Sequence, residues 1–354
     1  MAAVGDARSE GFEQIMDYVT LGRSGLKVSR ACLGAMNFGT SESAPTDEAE
    51  GTRIIHAFLD GGNNFIDTAN VYTGGQSEEI VGRAVKGRRE NVVIATKARG
   101  AQGPGPNDVG LSRLHLTRAL DASLKRLGTD YVDLYQMHHF DPDTPLEESM
   151  DTLAGFVRAG KVRYIGCSNF TGSQIVECQW AAERQNGVPL TSLQPRYSLI
   201  ARDIEADVLP TAERHGLGTL IYSPIGGGML SGKYRRGEDP AADSRLGRRG
   251  RVGMAGMILT DRNFDIVDAV EDVAAELGTT PVAVAIAWCL TRRGVTSVII
   301  GPRTLQQLKD YEPGFTLKLP EEAIKRLSDV SRPNGPRAAP ATQAATRRER
   351  VPAE

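Results

Sequence analysis

Eight short apolar runs recur along this chain, each separated from the next by a helical pattern. They are Ala31 to Leu33, Asn64 to Ile66, Val92 to Thr96, Val132 to Met137, Tyr164 to Cys167, Ser192 to Gln194, Leu217 to Tyr222 and Ser297 to Ile300. Continuous rather than alternating hydrophobicity marks strands covered on both faces. Such strands, interleaved with helices, pair in parallel through right-handed crossovers. Eight units of this kind predict a (β/α)8 TIM barrel. With 354 residues, 40% of them hydrophobic, the chain can bury a core of that size with length to spare. A doubly wound open sheet would instead want G-x-G-x-x-G after its first strand, and Leu33-Gly34-Ala35-Met36-Asn37-Phe38-Gly39 does not supply it.

The helical stretches carry their own punctuation. Leu116, Leu120 and Leu124 recur every four residues and line one face until Gly128 stops the helix. Thr144-Pro145-Leu146-Glu147 reads as an N-cap, a proline at the first helical position and a capping-box Glu, and Thr171 with Gln174 repeats the box one unit later. Ahead of the first run, Tyr18 to Leu21 and Lys27 to Val28 flank Gly22-Arg23-Ser24-Gly25, a β-hairpin expected to plug one end of the barrel. The organisation is therefore a flexible extension over 1–17, a barrel over 18–330 and a disordered Pro/Ala/Arg-rich tail over 331–354. Long loops, Arg99 to Gly110 and Pro224 to Thr260, follow the third and seventh runs, and the second is a candidate lid.

Charge and composition narrow the function. A net charge of -2 implies no nucleic-acid partner. Asp6, Glu10, Glu13 and Asp17 crowd an N-terminus without an apolar h-region, and nowhere do 18 apolar residues run together. Neither signal peptide nor membrane span is expected, and the setting is read as cytoplasmic. Cys32, Cys167, Cys178 and Cys289 form no C-x-x-C and read as reduced structural thiols. His138-His139 with Asp141 offers no open-site ligand set, so no metal is expected.

Four polar residues stand near the ends of runs. Asp67, Lys97 and His138 follow the second, third and fourth, and Tyr72 lies five residues beyond Asp67. A parallel barrel gathers its strand ends at one rim, so the further gaps of 25 and 41 residues each contain a βα unit that returns to the same place. Tyrosine has an ordinary pKa of about 10, and a neighbouring ammonium lowers it by favouring the phenolate. Lys97 is placed to be that ammonium, with Asp67 to orient it. His138 is placed to hydrogen-bond a carbonyl oxygen on its way to alkoxide. Singly, each residue has an ordinary reading as a turn cap, a loop side chain or a solvated strand end. Together they describe a carbonyl reducer in which Tyr72 is the acid and a hydride donor lies alongside.

The stretches Gly62-Asn63-Asn64-Phe65-Ile66-Asp67-Thr68-Ala69, Tyr72, Gln76-Ser77-Glu78-Glu79, Tyr135-Gln136-Met137-His138 and Gly160 to Phe170 (GKVRYIGCSNF) resemble the aldo-keto reductase family, from about Tyr18 to Val330. The resemblance implies NADPH and a catalytic tetrad that matches Asp67, Tyr72, Lys97 and His138. It gives Ser168, Asn169 and Gln194 the nicotinamide carboxamide, Tyr222 the stacked face of the ring, and Ser223, Pro224, Ile225, Gly226, Gly227 and Lys233 the pyrophosphate. Arg245, Gly301, Arg303, Gln307 and Asp310 complete the expected shell, with Met36 near the nicotinamide. Ala35-Met36 replaces a common Thr-Trp or Thr-Met pair, and Tyr311 stands where the family commonly has Asn.

The run into Gly301-Pro302-Arg303 opens a helix whose first amides suit a phosphate, and Arg303 adds a cationic fork, which favours NADPH over NADH. Gln307 also completes a capping box with Thr304. Arg235, Arg236, Arg245, Arg248, Arg249 and Arg251 read either as a solvated face or as receivers of an anionic substrate such as a nucleotide-linked keto-sugar. Residues 102–106 hold no side chain that selects a substrate. A reading from another class is a cofactor-sensing subunit resembling potassium-channel β subunits, which typically carry Asn at the position of His138. Assembly into an oligomer is compatible with either.

Overall fold

A computed structural model describes residues 17–41, 45–242, 244–248 and 256–333. The extension before Asp17, the tail after Pro333, and Arg249 and Arg251 lie outside the described residues, as does the side chain of Arg248. Strands β1 (Tyr18–Thr20) and β2 (Lys27–Ser29) form an antiparallel hairpin. They precede β3 (Ala31–Gly34), β4 (Phe65–Asp67), β5 (Val93–Ala98), β6 (Val132–Met137), β7 (Val162–Ser168), β8 (Ser192–Gln194), β9 (Gly218–Tyr222) and β10 (Val295–Ile300). Strands β3 to β10 are parallel in sequence order, and β10 pairs β3 to close the barrel. The fold is thus the (β/α)8 barrel that the eight runs predict.

A strand's two-residue period decides which side chains enter the barrel. In β4, β5 and β6 the inward rows are Phe65-Asp67, Val93-Ala95-Lys97 and Leu134-Gln136. Phe65, Val93, Ala95 and Leu134 belong to the interior cluster, while Ile66, Ile94 and Tyr135 belong to the shell that packs on the helices. Each inward row is therefore apolar at the N-terminal end and polar at the C-terminal end. The hairpin caps the apolar end, where Leu21 and Val28 join the interior cluster. Closing the barrel there removes several large side chains from water, each contributing roughly 1.5–3 kcal/mol.

The helices follow their sequence signals except at Thr144 and in the box at Thr304, where Thr304 caps the amide of Gln307 but the Gln307 side chain accepts from Arg303 N rather than from Thr304 N. Leu116, Leu120 and Leu124 are buried on Arg113–Leu127, and Gly128 ends that helix at φ 63°. Thr171 and Gln174 form the reciprocal box at the start of Gly172–Arg184. Thr144 does not cap. Its hydroxyl donates to Asp141 Oδ2 at 2.7 Å, and Leu146–Arg158 starts one residue later behind Pro145, with no side-chain cap. Asp141 competes successfully because it is already fixed by the amide of Leu111 at 2.7 Å.

Candidate active site

The polar ends of the inward rows open into a cleft of about 800 Å³. Asp67 ends β4, and Lys97 lies one residue short of the end of β5. His138 follows β6, and Tyr72 starts the turn Tyr72–Gly75. Parallel register sets Asp67 beside Ala95 and Lys97 beside Gln136, and the two inward-facing charges meet across the neighbouring strands. Lys97 Nζ donates to Asp67 Oδ1 at 2.5 Å, to the Thr68 carbonyl at 2.8 Å and to the Tyr72 hydroxyl at 3.3 Å, which uses all three of its protons. Asp67 Oδ2 accepts from Gln136 Nε2 at 3.2 Å and Gln194 Nε2 at 2.8 Å. Lys97 is fully buried, where burial alone would drive off its proton, but Asp67 and Tyr72 outweigh that and hold the ammonium above the ordinary lysine range.

The same burial corrects one expectation. Lys97 does pull the Tyr72 pKa down, yet removal of the phenol from water is the larger effect and carries it above its ordinary value. Tyr72 therefore keeps its proton, with the Lys97 ammonium beside its hydroxyl. The His138 ring meets that of Tyr72 edge-on, with centroids 5.8 Å apart. Burial, with Lys97, His139 and Arg99 adding to it, pushes His138 down to about 2, so its imidazole is neutral across the working range.

The residues expected around a nicotinamide line the cleft together, but several hydrogen bonds expected for a ligand are made internally. Asn169, at φ 60°, donates from Nδ2 to Ser168 Oγ at 2.9 Å and to the His138 carbonyl at 3.2 Å. Its Oδ1 accepts the Tyr222 hydroxyl at 2.8 Å. Ser168 Oγ donates to the Gln194 carbonyl at 2.8 Å. Met36, Ser223, Pro224, Ile225, Gly227, Lys233, Arg245, Gly301, Arg303 and Gln307 also line the cleft.

Two of the residues assigned to the cofactor do not line it. Gly226 is buried under the turn, where a Cβ would come within 2.4 Å of Ile200 Cδ1. Asp310 faces outward on the helix Leu305–Tyr311 and accepts from Gln306 Nε2 at 2.9 Å. The amides opening that helix are largely taken as well. Gln307 Oε1 accepts from Arg303 N at 2.9 Å, Glu50 Oε1 from Leu305 N at 2.7 Å, and Thr304 Oγ1 from Gln307 N at 3.2 Å. The cationic groups, rather than helix amides, are what this end of the cleft offers an anion. Neither Arg303 nor Lys233 makes an ion pair among the described residues.

Sequence reasoning missed Asn37, whose Nδ2 donates to the Gly301 carbonyl at 2.9 Å and ties the first strand end to the last. Its place directly after Met36 was the available signal. Gly228 and Tyr311 also line the cleft. The arginine-rich loop divides. Arg235 pairs with Glu271 at 3.2 Å, and Arg236 bonds Asp261 and Asp265 at 2.8 Å each, which ties both to the outer helix Asp261–Glu276 and away from any substrate. Only Arg245 of the described members lines the cleft.

Among the described residues no cluster of His, Cys, Asp or Glu could hold a metal ion, and no single helix is long and apolar enough to cross a membrane. The four cysteines are buried and unpaired.

Comparison with known proteins agrees with this geometry. The chain is 41% identical over 326 residues to an uncharacterized oxidoreductase, YrpG, of Bacillus subtilis (strain 168), covering 89% of this chain and 96% of that protein. It is 39% identical to a probable voltage-gated potassium channel subunit beta of Arabidopsis thaliana, over 83% of this chain and 90% of the relative. It is 33% identical to the L-glyceraldehyde 3-phosphate reductase of Escherichia coli (strain K12), over 83% and 86%. The profile of the Aldo/keto reductase family matches residues 30–332. With its eight-stranded barrel, its buried Lys97–Asp67 pair beside Tyr72 and that match across most of its length, the chain belongs to the aldo/keto reductase family.

Proposed function

We propose that this protein reduces an aldehyde or ketone with NADPH, and that Tyr72 is the general acid. The observation that carries this reading is the Tyr72 hydroxyl 3.3 Å from a lysine that Asp67 keeps charged out of water. When bound, NADPH supplies the hydride to the carbonyl carbon. Tyr72 holds its proton at the hydroxyl, and Lys97 stabilises the phenolate left when that proton moves to the carbonyl oxygen. A neutral His138 donates to the same oxygen without itself becoming an acid.

The fit of the dinucleotide rests on the opposite half of the cleft. Gly226, Gly227 and Gly228 take φ of 58°, 69° and 96°, a left-handed turn that L side chains rarely adopt. Gly227 and Gly228 border the cleft, with the Lys233 Nζ so close that a Cβ on Gly228 would lie 2.8 Å from it. Backbone without side chains beside a cation suits a pyrophosphate. Arg303, bordering the cleft without a carboxylate partner among the described residues, supports the preference for a 2′-phosphate.

Protein mixed with NADPH and a panel of aldehydes should consume nicotinamide absorbance, and substituting NADH should slow it. The 39% identity to a probable channel β subunit favours a second reading, a cofactor-binding subunit. Tight NADPH binding with no turnover of any carbonyl would select that one.

A further inference from the structure

Behind the Tyr72 turn the helix Gln76–Ala84 opens on Gln76-Ser77-Glu78, none of which belongs to the tetrad or lines the cleft. Each side chain ties the helix to the barrel. Gln76 Oε1 accepts from Thr40 N at 3.0 Å, in the loop after β3. Ser77 Oγ donates to the Ala35 carbonyl at 2.7 Å and lies 2.8 Å from Thr68 Oγ1, just beyond β4. Glu78 reaches β5, where its Oε1 accepts the Thr96 hydroxyl at 2.5 Å. Thr96 immediately precedes Lys97 and faces the helices, because its neighbour faces the barrel interior.

Glu78 has no exposed surface, and Arg126 of the helix Arg113–Leu127 neutralises it, with Nε donating to Oε2 at 2.6 Å. The same arginine covers the turn. A Cβ on Gly75 would lie 2.6 Å from Arg126 Cδ and 2.9 Å from its Nε, so the arginine fills the space that any other residue there would need. Thr73, Gly74 and Gly75 take φ of 50°, 62° and 100°, three left-handed residues in a row after the tyrosine. Thr73 is not a glycine, and such a conformation persists only where its surroundings over-determine it. Among the described residues the helix behind this turn has no side-chain N-cap, and the buried side-chain amide of Asn70, two residues before Tyr72, has neither atom hydrogen-bonded.

We propose that the Glu78–Arg126 pair is a positioning device that clamps the Tyr72 turn to the strand carrying Lys97, and so sets the separation of the Tyr72 hydroxyl from Lys97 Nζ. That separation is 3.3 Å, the longest of the three hydrogen bonds the ammonium makes, so the backbone of the turn has to hold the phenol in place. Glu78 acts through Thr96 on β5, and Arg126 acts through Gly75 on the turn. The proposal rests on the reading of Tyr72 as the acid. Misplacing a reacting group by about 1 Å costs as much as about 10²-fold in rate, so a loosened clamp is read in kcat and not in binding.

The test uses Glu78→Gln/Arg126→Gln, a double variant that leaves no partner of the pair charged and stranded. Turnover of a neutral aldehyde is expressed per NADPH-binding site, so unfolded protein does not count. The double variant should lose about tenfold or more in kcat, with KM and the NADPH dissociation constant within about twofold of wild type. Arg126→Lys, which keeps the cation and its stem over Gly75, should lie between the two. Thr96→Val, which cuts the link to β5 and leaves the ion pair whole, should lower kcat in the same way, and it decides the matter if the double variant does not fold. An unchanged kcat per site, or kcat and cofactor affinity falling together, overturns the proposal and leaves carbonyl reduction standing.

Hydrogen exchange gives a readout that needs no turnover. Followed by mass spectrometry under native conditions, the amides of residues 72–78 should exchange about tenfold faster in these variants, while those of β9 across the barrel change by no more than about twofold. Uniform acceleration, or none, assigns the pair to overall stability and removes the positioning role. Should the wild type reduce no carbonyl, the reading of Tyr72 as acid falls, and exchange alone decides whether the pair holds the turn.

Discussion

Gln194 donates from Nε2 to Asp67 Oδ2 at 2.8 Å, joining the end of β8 to the end of β4 across the barrel mouth. A residue assigned to the cofactor is thus bonded to the carboxylate that orients Lys97. The two halves of the site share a hydrogen-bond network, and a change in either half is felt by the other.

Replacing Tyr72 with Phe removes the proton donor and almost none of the cleft wall. Carbonyl reduction should fall by at least about 10²-fold, the usual scale for losing a positioned general acid. NADPH affinity, read by quenching of protein fluorescence, should stay within about threefold of wild type. Undiminished turnover would take Tyr72 out of the acid role.

The Lys97–Asp67 pair is buried at both ends, so breaking it from one side strands a charge. Lys97→Met should destabilise the fold by about 3–5 kcal/mol in urea unfolding. The double variant with Asp67→Asn should recover a good part of that loss, because it removes the stranded carboxylate, while activity stays lost. A double variant no more stable than the single would show that the cost lies in packing.

The titration directions set a pH profile. His138 is held neutral down to about 2, so it contributes no limb to kcat/KM between pH 5 and 8. As the proposed acid Tyr72 has to be protonated, and its pKa lies above the ordinary value, so carbonyl reduction should decline only on the alkaline side. Stability has the opposite dependence. Below about pH 6.5 the unfolded chain protonates His138, while the folded chain refuses that proton until about 2. Stability therefore falls as pH drops through this window, by at most about 1.4 kcal/mol per pH unit from this one site. His138→Asn should flatten the acid slope in a series of denaturant midpoints.

Arg303→Ala should weaken NADPH binding by roughly tenfold, about 1.4 kcal/mol, and change NADH binding little. Isothermal titration with both cofactors measures the two losses. Equal losses would mean that Arg303 reads something common to both dinucleotides.

Much of the architecture can be read from local pattern, because a strand buried on both faces must be apolar over its length and a helix must announce its ends. Leu116, Leu120, Leu124 and Gly128 behave as their spacing says, as does the box at Thr171. Thr144 does not, since the competing acceptor, Asp141, is fixed by an amide 30 residues back along the chain. The same limit applies at the site. Asp67, Lys97 and His138 can be found because inward-facing polar residues at strand ends are conspicuous. That Asn169 is engaged by Tyr222, and that Glu50 occupies the amide of Leu305, involves partners 53 and 255 residues apart.

By itself the sequence determined the eight strands, their parallel order and the four residues at the polar rim, since these follow from hydrophobic period and strand length. Only the tertiary structure decided how those residues are charged and which donors remain free. Burial raises Tyr72 against the pull of Lys97, and closure of the barrel engages the amides of Gln194 and Asn169 while leaving Arg99 Nε unmatched. The physical reason is that desolvation and hydrogen-bond competition depend on neighbours brought together by folding, and local spacing carries no record of them.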